Sequence, residues 1–166
     1  LYLNVWAPAE GQSGLPVFVW FFGGGLQVGA TTEMEFDGER IARRGAIVVT
    51  VNYRLNVFGF LAHPELTAES PHSATNFGFL DQQCALKWVK RNIAAFGGDP
   101  NNITIGGQSA GGMSVSAQIA NPGNEGLFDR AVIISGLFVS VYPEKLGLCV
   151  PLADAEDRGR RFFETV

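Results

Sequence analysis

The chain opens on alternation. Leu1 to Trp6, LYLNVW, sets apolar and polar residues in turn, the period of a half-buried strand. Pro8 to Gly14 follows as a turn region. Pro16 to Phe22, PVFVWFF, is then apolar without a break and rich in aromatic and β-branched residues. Such a strand has no polar face and needs cover on both sides, as in the middle of a parallel sheet. Ala46 to Asn52, AIVVTVN, repeats the signature, and shorter strands are predicted at Asn102–Gly106 and, within Phe128–Ser135, at Ala131–Ser135. Between the strands the period changes. Asp37–Arg44 predicts a short helix closed by Gly45. Leu80 to Phe96 carries Leu80, Ala85, Leu86, Val89, Ile93 and Phe96 at helical spacing and stops at Gly97-Gly98. Trp88 and Phe96 are expected to pack in the core from this helix. Ser109–Ala120 predicts a helix of small residues, ended by Asn121-Pro122-Gly123. Tyr53–Asn76, with two prolines and several Ser and Thr, predicts an irregular stretch. The alternation of strand and helix gives an α/β fold with a mostly parallel central sheet and helices on both faces.

Composition narrows this picture. With 46% hydrophobic residues, 166 residues can bury a real core, and 21 glycines beside 13 phenylalanines indicate tight turns next to large buried side chains rather than disorder. The net charge is −4, and the densest basic cluster, Arg158, Arg160 and Arg161, lies on an amphipathic tail. That cluster predicts a solvated helix face and not a nucleic-acid surface. No apolar run approaches the roughly 18 residues of a membrane span. Cys84 and Cys149 make no disulfide framework, and Cys84, beside Ala85 and Leu86, is expected to be a buried free thiol. No His/Cys/Asp cluster has metal-ligand spacing, so neither a metal nor an organic cofactor is expected. The chain opens inside a strand pattern without Met and closes inside a helical one, Phe162 to Val166. It therefore predicts a partial domain over residues 1–166, truncated at both ends. Nothing in it points to a compartment.

The chemistry sits at Gly107-Gln108-Ser109-Ala110-Gly111, a G-x-S-x-G sequence between a strand pattern and a helix pattern. In that context the motif reads as the nucleophile elbow of α/β-hydrolases, a sharp turn that lifts a serine hydroxyl clear of the backbone; the alternative is a Gly/Ser loop in which Ser109 merely caps the helix. Both glycines are needed because side chains there would meet the neighbouring strand and helix. The helix N-terminus that follows favours developing negative charge. Phe22-Gly23-Gly24-Gly25 ends the first buried strand, where backbone N–H groups can be brought close to a substrate. The run fits neither a dinucleotide fingerprint nor a phosphate loop, since Val28 occupies the third glycine position of the former and no G-K-[ST] follows. Of the other polar residues, Asp81 and Asp99 are expected to fix helix and loop ends. Asn52 and Arg54 are expected to tie down the neighbouring loop.

These residues resemble the type-B carboxylesterase family, which includes cholinesterases, liver-type carboxylesterases and bacterial p-nitrobenzyl esterases. The likeness is carried by LYLNVW at 1–6, VNYRL at 51–55, FGFL at 58–61, NFG at 76–78, LDQ at 80–82, Trp88-Val89, Asn92-Ile93, FGGDP at 96–100 and the elbow, and it fades after Gly136. The resemblance implies an α/β-hydrolase fold, of which this chain is the N-terminal part. It also implies a serine carboxylic-ester hydrolase acting on small-molecule esters. Ser109 would be its nucleophile, and the N–H groups of Gly24, Gly25 and Ala110 its oxyanion hole. A triad acid, usually Glu, and then a His would follow far downstream. His63 and His72 both precede Ser109, so neither is expected to be the base, and these 166 residues alone are expected to be inactive. The chain departs from the family at Phe22, where His or Tyr is usual. It departs again at Gln108, where Glu is usual, which removes a negative charge that would favour cationic substrates. The family also resembles adhesion proteins such as neuroligins, which would make this a non-catalytic binding protein. Those typically lack the serine that this chain keeps.

Overall fold

The structure, a computed structural model, describes residues 1–9, 11–71, 75–136 and 150–165. The apolar runs lie side by side in one five-stranded sheet. β2 (Leu15–Phe21) pairs parallel with β3 (Ile47–Asn52), Val17 opposite Ile47 and Trp20 opposite Thr50. β4 (Gly98–Gln108) runs parallel on the other side of β2, and β5 (Arg130–Ile134) runs parallel beyond it. β1 (Tyr2–Trp6) is the one antiparallel strand, on the outer edge of β3, giving the order β1-β3-β2-β4-β5.

Period-two alternation assigns the faces. Val17, Val19 and Phe21 of β2, with Ile47, Val49, Val51, Ile103 and Ile105 of its neighbours, are at most 1% exposed. They form one cluster with Leu86 and Val89 of α4 (Phe77–Asn92), Ile93 of the 3-10 turn after it, and Val115 of α5 (Ala110–Ala120). Each fully buried side chain of this size contributes roughly 1.5–3 kcal/mol. On the opposite face Trp20 packs against Phe36, ring centroids 6.4 Å apart, in the 3-10 turn Met34–Phe36. The short α1 (Glu39–Ala42) follows that turn.

Several expectations are corrected. Tyr53–Asn76 is not wholly irregular: it holds α2 (Asn56–Phe60) and α3 (Pro64–Glu69). Pro64 occupies a first-turn position of α3, where a missing N–H costs nothing and the fixed φ favours the helix, so it starts the helix rather than breaking it. β4 begins at Gly98, not Asn102, and Pro100 is accommodated where the register against β2 shifts. Phe96 is not on α4; the winding tightens to a 3-10 turn over Ile93–Phe96, which takes it off the buried stripe and leaves it 43% exposed against Trp88. Cys84 is exposed, because consecutive helix residues point about 100° apart and the burial of Ala85 and Leu86 says nothing of their neighbour. Cys149 lies outside the described residues. Arg158, Arg160 and Arg161 are exposed on α6 (Leu152–Glu164), as the sequence predicts, and Asp157 pairs with the last two.

The segment after β3 is fastened by polar side chains. Asn52 Oδ1 accepts the N–H of Thr31 at 3.1 Å. Asp81 does not cap its own helix end. From the second turn of α4 its Oδ2 accepts the backbone N–H and Nε–H of Arg54 at 2.9 and 2.8 Å, and its Oδ1 accepts Nη2 at 2.9 Å. These bonds hold the Arg54 pKa above its ordinary value. Asp99 lies in the irregular first part of β4, its Oδ1 accepting the N–H of Asn101 at 2.8 Å. Asp81→Ala leaves the Arg54 N–H without its acceptor and unpins the chain from α4. The expected loss is about 2 kcal/mol, read as a lower urea midpoint of the full-length protein, and an unchanged midpoint would contradict the role given to Asp81.

Candidate active site

The strand order places the site. The chain steps from β2 to β3 on one side and then crosses back to β4 on the other, so the order reverses between β2 and β4. In open parallel sheets the crevice at such a switch point, outside the carboxyl ends of the strands, is where ligands bind. Phe21, the last residue of β2, pairs with Gly107 in β4. The glycine run and the G-x-S-x-G sequence therefore leave the sheet next to each other.

Ser109 turns the chain from β4 into α5 with φ 55° and ψ −122°, a conformation that costs a side-chain-bearing residue about 1–3 kcal/mol. Its N–H donates to Ile134 O of β5 at 2.9 Å, and its carbonyl accepts the N–H of Met113 at 3.0 Å. The flanking glycines make the turn possible. A methyl group on Gly111 would lie 1.9 Å from Phe21 O, and one on Gly107 would lie 2.3 Å from Gly111 O. Both obstacles are backbone and cannot swing away. The Ser109 side chain is half-buried, and its hydroxyl has no hydrogen-bond partner among the described residues.

The glycine run curls over the same point. Gly24 and Gly25 have φ 106° and 65°, and Gly24 O accepts the N–H groups of Gln27 and Val28 at 3.0 and 3.1 Å. Leu26 O accepts the N–H of Asn56 at 2.8 Å, which ties the turn to the start of α2. A methyl group on Gly23 would lie 3.3 Å from Ser109 Cβ, 3.2 Å from Gln108 Oε1 and 2.8 Å from Gln108 O. The amides of Gly24, Gly25 and Ala110 donate to no acceptor among the described residues. Gln108 is exposed and turns its amide oxygen toward Gly23.

The structure thus brings together Ser109, Gln108, Ala110 and the two flanking glycines with the run Gly23–Gly25. His63 belongs to a different part of the molecule. Its Nδ1 accepts the N–H of Glu65 at the start of α3, and its ring stands edge-on to Phe163 of α6 at 5.4 Å. His72 lies outside the described residues. Two recesses of about 360 and 340 Å³ occur, one lined by residues of 8–15 and 94–97 and the other by residues of 118–128; neither is lined by Ser109 or the glycine run. Among the described residues no group of three or more His, Cys, Asp or Glu side chains is placed to hold a metal ion, and no helix is long and apolar enough to cross a membrane. The anchor from Asn56 to Leu26 escaped the sequence reading because that stretch was expected to be irregular. Its signal is an Asn, a residue that tolerates a left-handed φ (here 53°), placed before the apolar Val57-Phe58.

A mostly parallel sheet that turns into a helix through glycine, serine and glycine at its switch point defines the α/β-hydrolase fold. A solved structure of PNB esterase superposes with a TM-score of 0.75 at 49% sequence identity, over 81% of this chain and 28% of that one. The chain belongs to the carboxylesterase family, whose model matches residues 1–146 and so extends past Gly136, where the resemblance read from motifs fades. Among curated relatives, para-nitrobenzyl esterase of Bacillus subtilis is 50% identical over 137 residues, covering 82% of this chain and 27% of that protein. Fumonisin B1 esterase of Sphingopyxis macrogoltabida is 45% identical over 137 residues, covering 81% and 25%. The chain spans about a quarter of the length of these relatives.

The close approach of Gly111 to Phe21 O makes a sharp expectation. Gly111→Ala in the full-length protein should cost more than about 3 kcal/mol or prevent folding, whereas Gly11→Ala, with nothing within 4 Å, should cost less than about 0.5 kcal/mol. Equal urea midpoints for the two variants would show that the elbow is not held against β2.

Proposed function

We propose that this chain forms part of a serine carboxylic-ester hydrolase in which Ser109 is the nucleophile. The observation that carries the reading is the placement of Ser109. It sits at a positive φ on the strand–helix turn beside the glycine run, where a methyl group on Gly23 would lie 3.3 Å from Ser109 Cβ. In this reading the turn presents the Ser109 hydroxyl to the crevice, with the amides of Gly24, Gly25 and Ala110 as its oxyanion donors.

The reaction is a two-step acyl transfer. A base removes the Ser109 proton as the oxygen attacks the ester carbonyl. The carbonyl π electrons move onto oxygen, and that oxyanion rests on the three amides; losing one such donor typically costs about 3 kcal/mol. The intermediate collapses, expelling the alcohol, which takes the proton from the base. Water then attacks the acyl-enzyme in the same way and releases the acid. The scheme uses no metal or organic cofactor. The substrates are small carboxylic esters; a net charge of −4 with scattered basic residues offers nothing to nucleic acid.

Residues 1–166 supply the nucleophile and the oxyanion donors of this domain, but not its whole machinery. In this fold the triad order is Ser, acid, His, and no His follows Ser109 in the chain. The acid and the base come from elsewhere in a longer protein.

Ser109→Ala in the full-length protein should lower p-nitrophenyl ester turnover by orders of magnitude and abolish labelling by a fluorophosphonate probe; more than about a tenth of the original kcat would overturn the assignment. Residues 1–166 expressed alone should show only the residual acceleration left when a triad base is removed. Esterase activity of that segment near the full-length value would mean that an unconventional base lies within it.

A further inference from the structure

We propose that the Tyr53 hydroxyl is a positioning strut that fixes the oxyanion-binding glycine run relative to the nucleophile helix. This rests on the reading of Ser109 and the glycine run given above. Tyr53 follows the last residue of β3 and is 4% exposed. Its Oη donates to Phe22 O at 2.6 Å, and its ring stacks on Phe22 with centroids 4.6 Å apart. The nucleophile helix rests on the same stretch of backbone: a methyl group on Gly111 of α5 would lie 2.9 Å from Phe22 C and 1.9 Å from Phe21 O.

The Tyr53 hydroxyl therefore holds the Phe22 carbonyl, while the first turn of α5 rests on the backbone of Phe21 and Phe22. Phe22 leads directly into Gly23-Gly24-Gly25, and Ala110 at the start of α5 carries the third amide. The orientation of the Phe22 peptide thus sets the spacing of the two walls of the oxyanion hole. Packing alone does not call for it: the ring stack would be served equally by Phe, and a buried hydroxyl is costly unless partnered. Burial also raises the phenol pKa well above its ordinary value, so the group stays a neutral donor at any working pH.

An oxyanion hole acts on the transition state more than on bound ester, so a loosened wall should lower kcat and spare KM. The test uses the full-length protein, with kcat normalised to sites titrated by a fluorophosphonate. Tyr53→Phe should lower kcat about tenfold, less than the 10²–10³ of a deleted donor, with KM within about twofold. The affinity for a trifluoromethyl ketone transition-state analogue should fall by the same factor as kcat/KM. A lower Tm with unchanged kcat per titrated site would make Tyr53 a purely structural residue and overturn the proposal. Should Tyr53→Phe fail to fold, Tyr53→4-fluorophenylalanine, which fills the place of the hydroxyl without donating, decides: a severalfold loss in kcat at constant KM supports the strut, and an unaltered kcat removes it. Ser109→Ala run in parallel separates the two levels. If it stays active, the reading of the site falls and the strut with it. If it is dead while Tyr53→Phe has full kcat, only the strut falls.

Discussion

The carbonyl of Phe21 at the end of β2 is the point on which the site depends. The chain at Gly111 passes so close to it that no side chain fits, and Gly107 is equally crowded by the backbone of Gly111. That contact lets the first turn of α5 rest on the sheet directly after β4. The turn between them has one residue in which to reverse direction, and Ser109 takes up the strain. Strain of about 1–3 kcal/mol at one residue persists only where surrounding contacts outweigh it. Here they are the ladder to β2 and β5, the bond from Ser109 N–H to Ile134 O, and the start of the α5 hydrogen bonds at Met113. The strained serine is thus a consequence of tight packing two residues on either side.

The same packing brings polar groups into the core, and they are satisfied in a connected way. Gln118 Nε2 donates to Gln82 Oε1 and to Phe79 O, both at 3.0 Å; Asn124 Nδ2 donates to Gln118 Oε1 at 2.8 Å; Gln83 Nε2 donates to Asn124 Oδ1 at 2.7 Å. A stripe of small residues on α5, with Ala110, Gly111, Gly112 and Ser114 all buried, allows α4 and α5 to approach, but small residues interdigitate poorly and alone would not fix a register. Directional bonds between amides do so, since sliding either helix by one turn would orphan several buried groups at about 1–3 kcal/mol each.

Much of this was legible in the sequence, and the reasons are local. A strand buried on both faces leaves no polar position, so β2 and β3 announce themselves as runs. The G-x-S-x-G sequence is rigid in spacing because Gly107 pairs with Phe21 and Gly111 rests on the carbonyl of that same residue. What was not legible depends on tertiary neighbours. Cys84 and Phe96 differ from expectation because a one-turn change of winding or a 100° rotation decides burial, and no residue identity encodes that alone. Helices α2 and α3 carry no apolar period; they are short and held by their partners, with Arg54 pinned to Asp81 ahead of α2 and α6 lying against the segment before α3 so closely that a methyl group on Gly159 would be 1.8 Å from Ala62 O. Tyr53 reads as one more aromatic after a strand, and only the fold shows that its hydroxyl reaches the carbonyl of Phe22 just ahead of the glycine run.

The strand that supports the elbow is also the least covered. All five residues of β5 are exposed, with Val132, Ile133 and Ile134 at 42–45%, although their sequence is as apolar as that of β3. Among the described residues no strand pairs with the far edge of β5. Ile134 is the acceptor for the Ser109 N–H, so the residue that anchors the strained serine sits on the most exposed strand. A strand with exposed apolar faces and an open edge opens locally at lower free energy than a central one. Any contact made to β5 therefore stabilises the sheet and also narrows the positions of Ser109. Phe21 and the glycine run are held by the central strands β2 and β4. The orientation of the serine between them depends in addition on how firmly β5 is held, through the single bond to Ile134 O.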